Sequence, residues 1–341
     1  MTWETMRRWL WQARARGQVL ILFAVALVGM VGMTGLAIDL GHTFSQKRAI
    51  QNAADAGALA GAQYLTKSTP DVRLPVRNEV AQVVSQNGFG GATPQLVSCQ
   101  YVDASDNPLG DCSEEPPDEA TGVEVRVRET HRTFFIQIVP GAPDTASTEA
   151  MARARVFKVT NAPGDAPFIV CGYDTELADG GTLSILKPGT SEIDPEAIGK
   201  TFRIHAPQGI SRCGTGNAFK GLVGDNDEEN IPIPGIWEGT PGTRASVRIK
   251  VPGLRGCRPG SSVNDCILLL PIADSGEGNG SHVKFHVVAV AAFWIQECHA
   301  NCHEGTLIGQ YVIGPGDGWL PDPGDTWQLG DNGLIMIRLV A

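Results

Sequence analysis

The sequence predicts an α+β chain. A long N-terminal helix enters as an apolar span and continues as a stalk bearing a small sheet, and an all-β lobe, sandwich or irregular barrel, follows it. Three observations carry this. Val19 to Ile38 contains no charged residue, enough for one helix to cross a hydrocarbon core of roughly 30 Å. The first proline is Pro70, so nothing stops the helix from running on beyond Asp39. After residue 160, Gly and Pro recur between short apolar runs and helical periodicity is absent.

Charge gives the helix a direction. The formal net charge is −10, yet Arg7, Arg8, Arg14 and Arg16 against Glu4 make residues 1–16 carry +3 and the remainder −13. A basic end before the span and an acidic bulk after it place the N-terminus in the cytoplasm and the rest outside the inner membrane. Trp3, Trp9 and Trp11 suit an interfacial belt. The apolar core is longer than an export signal's, and its far edge, GLAIDLGH, offers no small-x-small cleavage site. An uncleaved anchor is expected. The acidic balance argues against a nucleic-acid partner.

Four segments follow: residues 1–16 as a cytoplasmic tail, 17–40 as the membrane helix, 41–160 as stalk plus α+β module, and 161–341 as an extracytoplasmic β-rich domain. On the stalk, Ala49, Ala53, Ala56 and Ala60 fall at 4-3-4 spacing on one face, a seam that lets a helix or sheet approach closely. Gly29, Gly32 and Gly35 repeat every three residues in the span, a packing face without GxxxG spacing. Asp39 stands at the outer edge, either pairing with a partner in the membrane plane or sitting in water. These eight residues are the expected helix-packing interface, with the membrane and another copy or another envelope protein as partners.

Beyond the stalk, Glu79–Gln86 reads as a short helix stopped by Asn87-Gly88. Gln95–Val102 and Gly122–Arg128 read as strands, the latter alternating apolar and charged residues. Thr133–Val139 and Ala152–Val159 are further strand candidates, and Asn161–Pro167 is the expected seam between lobes. In the C-terminal lobe strands are expected at Phe168–Cys171, Thr182–Leu186, Thr201–His205, Ala245–Val251, Cys266–Pro271, Lys284–Ile295, Leu307–Ile313 and Leu334–Val340, with His286–Ile295 central.

Eight cysteines, all after the span, fit an oxidising compartment. Sequence-order pairing is the simplest of 105 connectivities, and only Cys99–Cys112 and Cys257–Cys266, each bracketing a turn-rich stretch, look like stapled hairpins.

Chemistry-bearing motifs are few. Cys298, His299, Cys302, His303 and Glu304 could hold zinc or copper, but a second ligand pair is missing and CxxxCH misses the haem spacing by one residue, which favours a disulfide loop. Asp225–Glu229 is acidic enough for calcium, yet an EF-hand would need Gly and Glu where Asn230 and Ile236 stand. His282 and His286 share a side of a strand but lie apart. No nucleophile elbow, Walker loop, HExxH or Rossmann fingerprint is present. No metal, no cofactor and no enzymatic activity are expected.

The stretch GQVLILFAVALVGMVGMTGLAIDLG followed by KRAIQNAADAGALAGAQYL resembles the N-terminal signature of TadE/TadG-like proteins of Flp (Tad-type) pilus assembly. GVEVRVRETHRTFF and STEAMARARV are similar to the strand pair closing that module, and ILLLPIADSGEGNGSHVKFHVVAVAAFWI with GTLIGQYV resembles a lobe recurring in such proteins. The resemblance implies a pilin-like, single-pass envelope protein acting in pilus assembly through contacts with other assembly proteins or with itself. A surface adhesin or ligand-binding module displayed on a pilus-type anchor is the alternative. Leu22 stands where prepilin-like members carry Glu after the cleavage glycine, so the resemblance does not extend to prepilin-peptidase processing. Asp103–Asn107 lacks the last Ser of a von Willebrand A metal loop, and that domain is not expected.

Overall fold

The computed structural model describes residues 3–88, 93–138, 141–159, 161–163, 168–204, 213, 218–219, 230–241, 266–278, 283–295, 304–313, 327–329 and 331–340. Helix α1 spans Trp3–Leu65 without interruption, and α2 spans Arg77–Gln86. The strands β1 (Gln95–Val102), β2 (Pro108–Asp111), β3 (Gly122–Arg132) and β4 (Thr145–Lys158) follow.

The chain forms two compact units drawn from interleaved stretches. One takes Met1–Ala60, Arg77–Cys99 and Glu124–Ala152; the other takes Gly61–Val76, Gln100–Val123 and Arg153–Ala341. A six-stranded sheet runs in the order Gln310–Ile313, Gly333–Val340, β4, β3, β1, β2.

In the first unit the stalk lies against β3 and α2. Gln46, Ile50, Ala53, Ala54, Gly57 and Ala58 form the buried stripe of α1, spaced as one helix face requires. Gly57 is the point of closest approach. A Cβ there would stand 2.6 Å from Val84 Cγ2 and 3.5 Å from Val125 Cγ1. On β3 the inward parity is Val125, Val127, Glu129, His131, each buried while Arg126, Arg128, Thr130 and Arg132 face out.

The strand expected at Thr133–Val139 is not formed over its described residues, 133–138. Those residues turn instead, with a 3₁₀ helix at Ile136–Ile138, because the amides of Phe134, Phe135 and Ile136 donate to the Asp39 carboxylate and are lost to a ladder. β4 also starts seven residues earlier than Ala152. Its first half is mostly exposed or half-exposed, so no strong apolar alternation announced it.

In the second unit a seven-stranded sheet runs in the order Gly235–Pro241, Ala218–Phe219, Phe168–Cys171, Ile267–Glu277, Val283–Trp294, Glu304–Ile308, Thr201–Arg203. Gly235–Pro241 pairs additionally with Val283–Trp294, and the strands make no regular closed barrel. Val283–Trp294 is central, as expected, and bonds to Ile267–Glu277 and Glu304–Ile308 as well.

Both faces of this sheet are covered, which explains its near-continuous apolar runs. Val170, Leu268, Leu270, Ile272, Ala291 and Phe293 share one core. Residues of the opposite parity, Leu269, Val290 and Ala292, join Leu334 and Met336 in another. Ile169, Trp237, Phe285 and Val287 surround the Cys171–Cys213 disulfide, a pairing that follows sequence order. Cys99, Cys112 and Cys266 are also disulfide-bonded. Cys257 lies outside the described residues, as do Ala245–Val251, the Asp225–Glu229 run, His282 and residues 298–303 of the Cys/His cluster.

Candidate functional site

The site is the region where α1 leaves its apolar span and meets the end of β3. Geometry fixes the meeting point. Gly57 faces Val125 and Asp39 faces Phe134. The eighteen helical steps between Asp39 and Gly57 rise about 27 Å at 1.5 Å each, and the nine steps from Val125 to Phe134, strand as far as Arg132, cover about 30 Å at 3.3 Å each. Helix and strand therefore run side by side in opposite senses, and the last residues of β3 arrive where the span ends.

Asp39 is 7% exposed and takes its bonds from within its own unit. Oδ1 accepts from Phe134 N at 2.9 Å, and Oδ2 accepts from Phe135 N at 2.9 Å and Ile136 N at 2.7 Å. This satisfies the amides that a helical turn leaves without partners at its start. Neither reading of Asp39 from the sequence included this bond to a turn ninety-five residues away. The turn is knitted further. Thr133 N donates to Asp144 O and Thr133 Oγ1 to Pro143 O, both at 3.1 Å, and Gln137 Nε2 donates to Thr133 O.

One turn of helix below Asp39, Gly35 receives the side chain of Phe135. A Cβ at position 35 would lie 2.8 Å from Phe135 Cβ. Between Val19 and Ile38 every other residue is exposed, and Gly35 alone is buried. Around Gly29 and Gly32 there is nothing within 4 Å of a would-be Cβ. Of the stalk alanines, Ala53 is fully buried within its own unit, and Ala49, Ala56 and Ala60 lie half-buried beside that stripe.

One turn above Asp39 the packing becomes polar. Gln46, Glu129 and His131 are buried, and His42 is half-buried. His42 and His131 meet edge to face with ring centroids 5.4 Å apart, and His42 meets Phe134 likewise at 5.2 Å. Gln46 Nε2 lies 3.5 Å from His42 Nε2, and Thr148 Oγ1 lies 3.4 Å from His131 Nδ1. Among the described residues neither Glu129 oxygen nor His131 Nε2 has a hydrogen-bond partner. Burial raises the Glu129 carboxyl above its ordinary value, with the His42 charge acting the other way. Burial lowers the His131 imidazole, and His42 lowers it further.

Sequence reasoning missed Glu129 and His131. The signal was present: in GVEVRVRETHR they share inward parity with Val123, Val125 and Val127. Among the described residues, no group of three or more His, Cys, Asp or Glu side chains could hold a metal ion. His286, weighed as a ligand from sequence, instead pairs through Nδ1 with Asp274 Oδ1 at 2.9 Å. In the second unit a cleft of about 140 Å³ is lined by residues including Lys158, Glu192, Pro234 and Asp331, with Lys158 Nζ 3.2 Å from Asp331 Oδ2. It is smaller than the few hundred Å³ usual for organic ligands.

These features define a class: a folded module carried on one long helix whose first part is apolar and long enough to cross a membrane. Residues 17–63 match the family model described as "Putative Flp pilus-assembly TadE/G-like", and residues 60–152 match the one described as "Putative Tad-like Flp pilus-assembly". The resemblance read from the span, the stalk and the strand pair is borne out over that stretch. No curated protein and no solved structure matches the chain.

Proposed function

We propose that this chain is a single-pass, membrane-anchored structural component of a Tad-type Flp pilus or a related envelope machine, acting through contacts rather than catalysis. The observation that carries the reading is the unbroken run of pilus-assembly similarity from residue 17 to residue 152, starting in the apolar span. Its N-terminus lies in the cytoplasm and its bulk outside, following the basic tail and acidic remainder. Assembly partners, or a second copy, pack on the open helix face at Gly29 and Gly32 and on the half-exposed Ala49, Ala56 and Ala60. Ala53 serves the chain's own packing.

The test is photocrosslinking in pilus-producing cells, with p-benzoylphenylalanine at position 29 or 32 of the full chain. Adducts to this chain or to another Tad component are expected. Intact pili after deletion of the chain, with no protein adduct at either position, would contradict the proposal.

A second reading has one specific support. The two family matches together reach no further than residue 152, so residues 153–341 lie outside them. That part is the place for an adhesive or ligand-binding surface displayed on a pilus-type anchor. Binding of glycans or surfaces by cells bearing the chain, lost when it is deleted while pili persist, distinguishes this reading from the first.

A further inference from the structure

We propose that the turn from Thr133 to Ile138 is a lipid-docking element that sits in the outer interfacial layer of the membrane, with Phe134 and Phe135 as its anchors. The inference rests on the membrane-anchor reading above and goes beyond it. If Val19–Ile38 occupies the hydrocarbon, Gly35 lies three residues inside its outer edge, at a depth of about 4.5 Å. Phe135 touches Gly35 and therefore shares that depth. Phe134 follows the same carboxylate and is 57% exposed, and Phe135 is 38% exposed. Two neighbouring aromatic rings held open at the rim of an apolar span match what interfacial aromatics do in a bilayer.

Backbone chemistry supports the same placement. A short turn outside the spanning helix is tolerated at membrane depth only if its amides find partners within the protein. Here the three amides nearest the span, those of Phe134, Phe135 and Ile136, all go to Asp39. Thr133 N and Oγ1 are used by Asp144 and Pro143 carbonyls. The lipid boundary thus falls between Gly35 and the polar layer of His42 and Gln46, and the turn gives the module a second foot beside the helix.

The experiment uses the full chain reconstituted in vesicles of phosphatidylethanolamine and phosphatidylglycerol. p-Benzoylphenylalanine replaces Phe134, Leu27 as a mid-span control, or Lys47 as an exposed control nine residues past the span. After illumination, intact-mass analysis reads adducts heavier by one phospholipid. Adducts at positions 27 and 134 but not at 47 are expected. Adducts at 27 without any at 134 overturn the docking of the turn while leaving the anchor standing. None at 27 or at 134 overturns the anchor and the docking together. A protein adduct at 134 shows that the turn meets another chain, and overturns lipid docking.

Discussion

Phe135 fills the space that a side chain at Gly35 would occupy: a Cβ there would approach the phenylalanine Cβ to 2.8 Å. Glycine is used here for close approach, not for backbone freedom. Gly35→Leu should push the turn off the helix at a cost of about 1–3 kcal/mol, the range for overpacking. Hydrogen exchange at the Phe134–Ile136 amides should then quicken roughly 5- to 150-fold. Unchanged exchange would show that the contact holds nothing in place.

Asp39→Asn keeps one acceptor oxygen and removes the charge from three amide bonds. The expected loss is about 1–3 kcal/mol, the range for hydrogen bonds to charged groups. It should show as faster exchange confined to the Thr133–Ile138 turn, with the Gly57 contact region unaffected. Exchange rising equally along all of α1 would mean that Asp39 supports the helix itself instead.

The buried Glu129–His131 pair gives a pH signature with two arms. A raised Glu129 carboxyl binds its proton more tightly in the native state. Its contribution is full below the ordinary 4.5 and is lost as pH rises through the raised value. A lowered His131 imidazole contributes fully above the ordinary 6.5 and loses that contribution as pH falls through the native value. Glu129→Gln should therefore raise the melting temperature of the detergent-solubilised chain at about pH 8 and give no gain near pH 4. Equal gains at both ends would assign the effect to packing.

Gly57 is the counterpart of Gly35 on the stalk. With Val84 of α2 2.6 Å from a would-be Cβ, Gly57→Val should destabilise the packing of α1 on α2 by about 1–3 kcal/mol. Thermal unfolding of the full chain reads this. Val84→Ala in the same chain should recover part of the loss, and a double variant no better than the single one would place the strain elsewhere.

Removing Cys171–Cys213, as the double serine variant, opens a loop with a sequence separation of 42. Loop-closure entropy assigns such a bridge about 4 kcal/mol. Chemical denaturation should show the second unit's transition shifted to lower denaturant. A transition that does not move would mean that the surrounding core already fixes the loop.

Legibility from sequence followed periodicity. The span, the unbroken helix to Leu65, α2 and the apolar strands of the second unit were readable because each repeats one physical pattern over many residues. The Thr133–Ile138 turn was not: Phe134, Phe135 and Ile136 are apolar neighbours that look like a strand until a distant carboxylate claims their amides. The stalk seam was half legible. Ala53 lies in the buried stripe, but the stripe is centred on Ile50, Ala54, Gly57 and Ala58, one step around the helix from Ala49, Ala56 and Ala60. Small-residue spacing shows that something packs closely; here it did not show that β3 and α2 of the same chain do so.

The pairing of Gly333–Val340 with β4 imposes an order on biogenesis. Ile335 lies opposite Lys158 and Val340 opposite Arg153, so that edge of β4 has no neighbour until the far strand has been made. At roughly 5–20 residues per second, synthesis of the stretch between them takes on the order of ten to thirty seconds. During that interval β4 waits with an open edge, and an open strand is a template for misplaced pairing. In the proposed topology, export of this chain becomes a race between threading and sticking, and shielding residues 153–158 in transit raises the share of copies that finish.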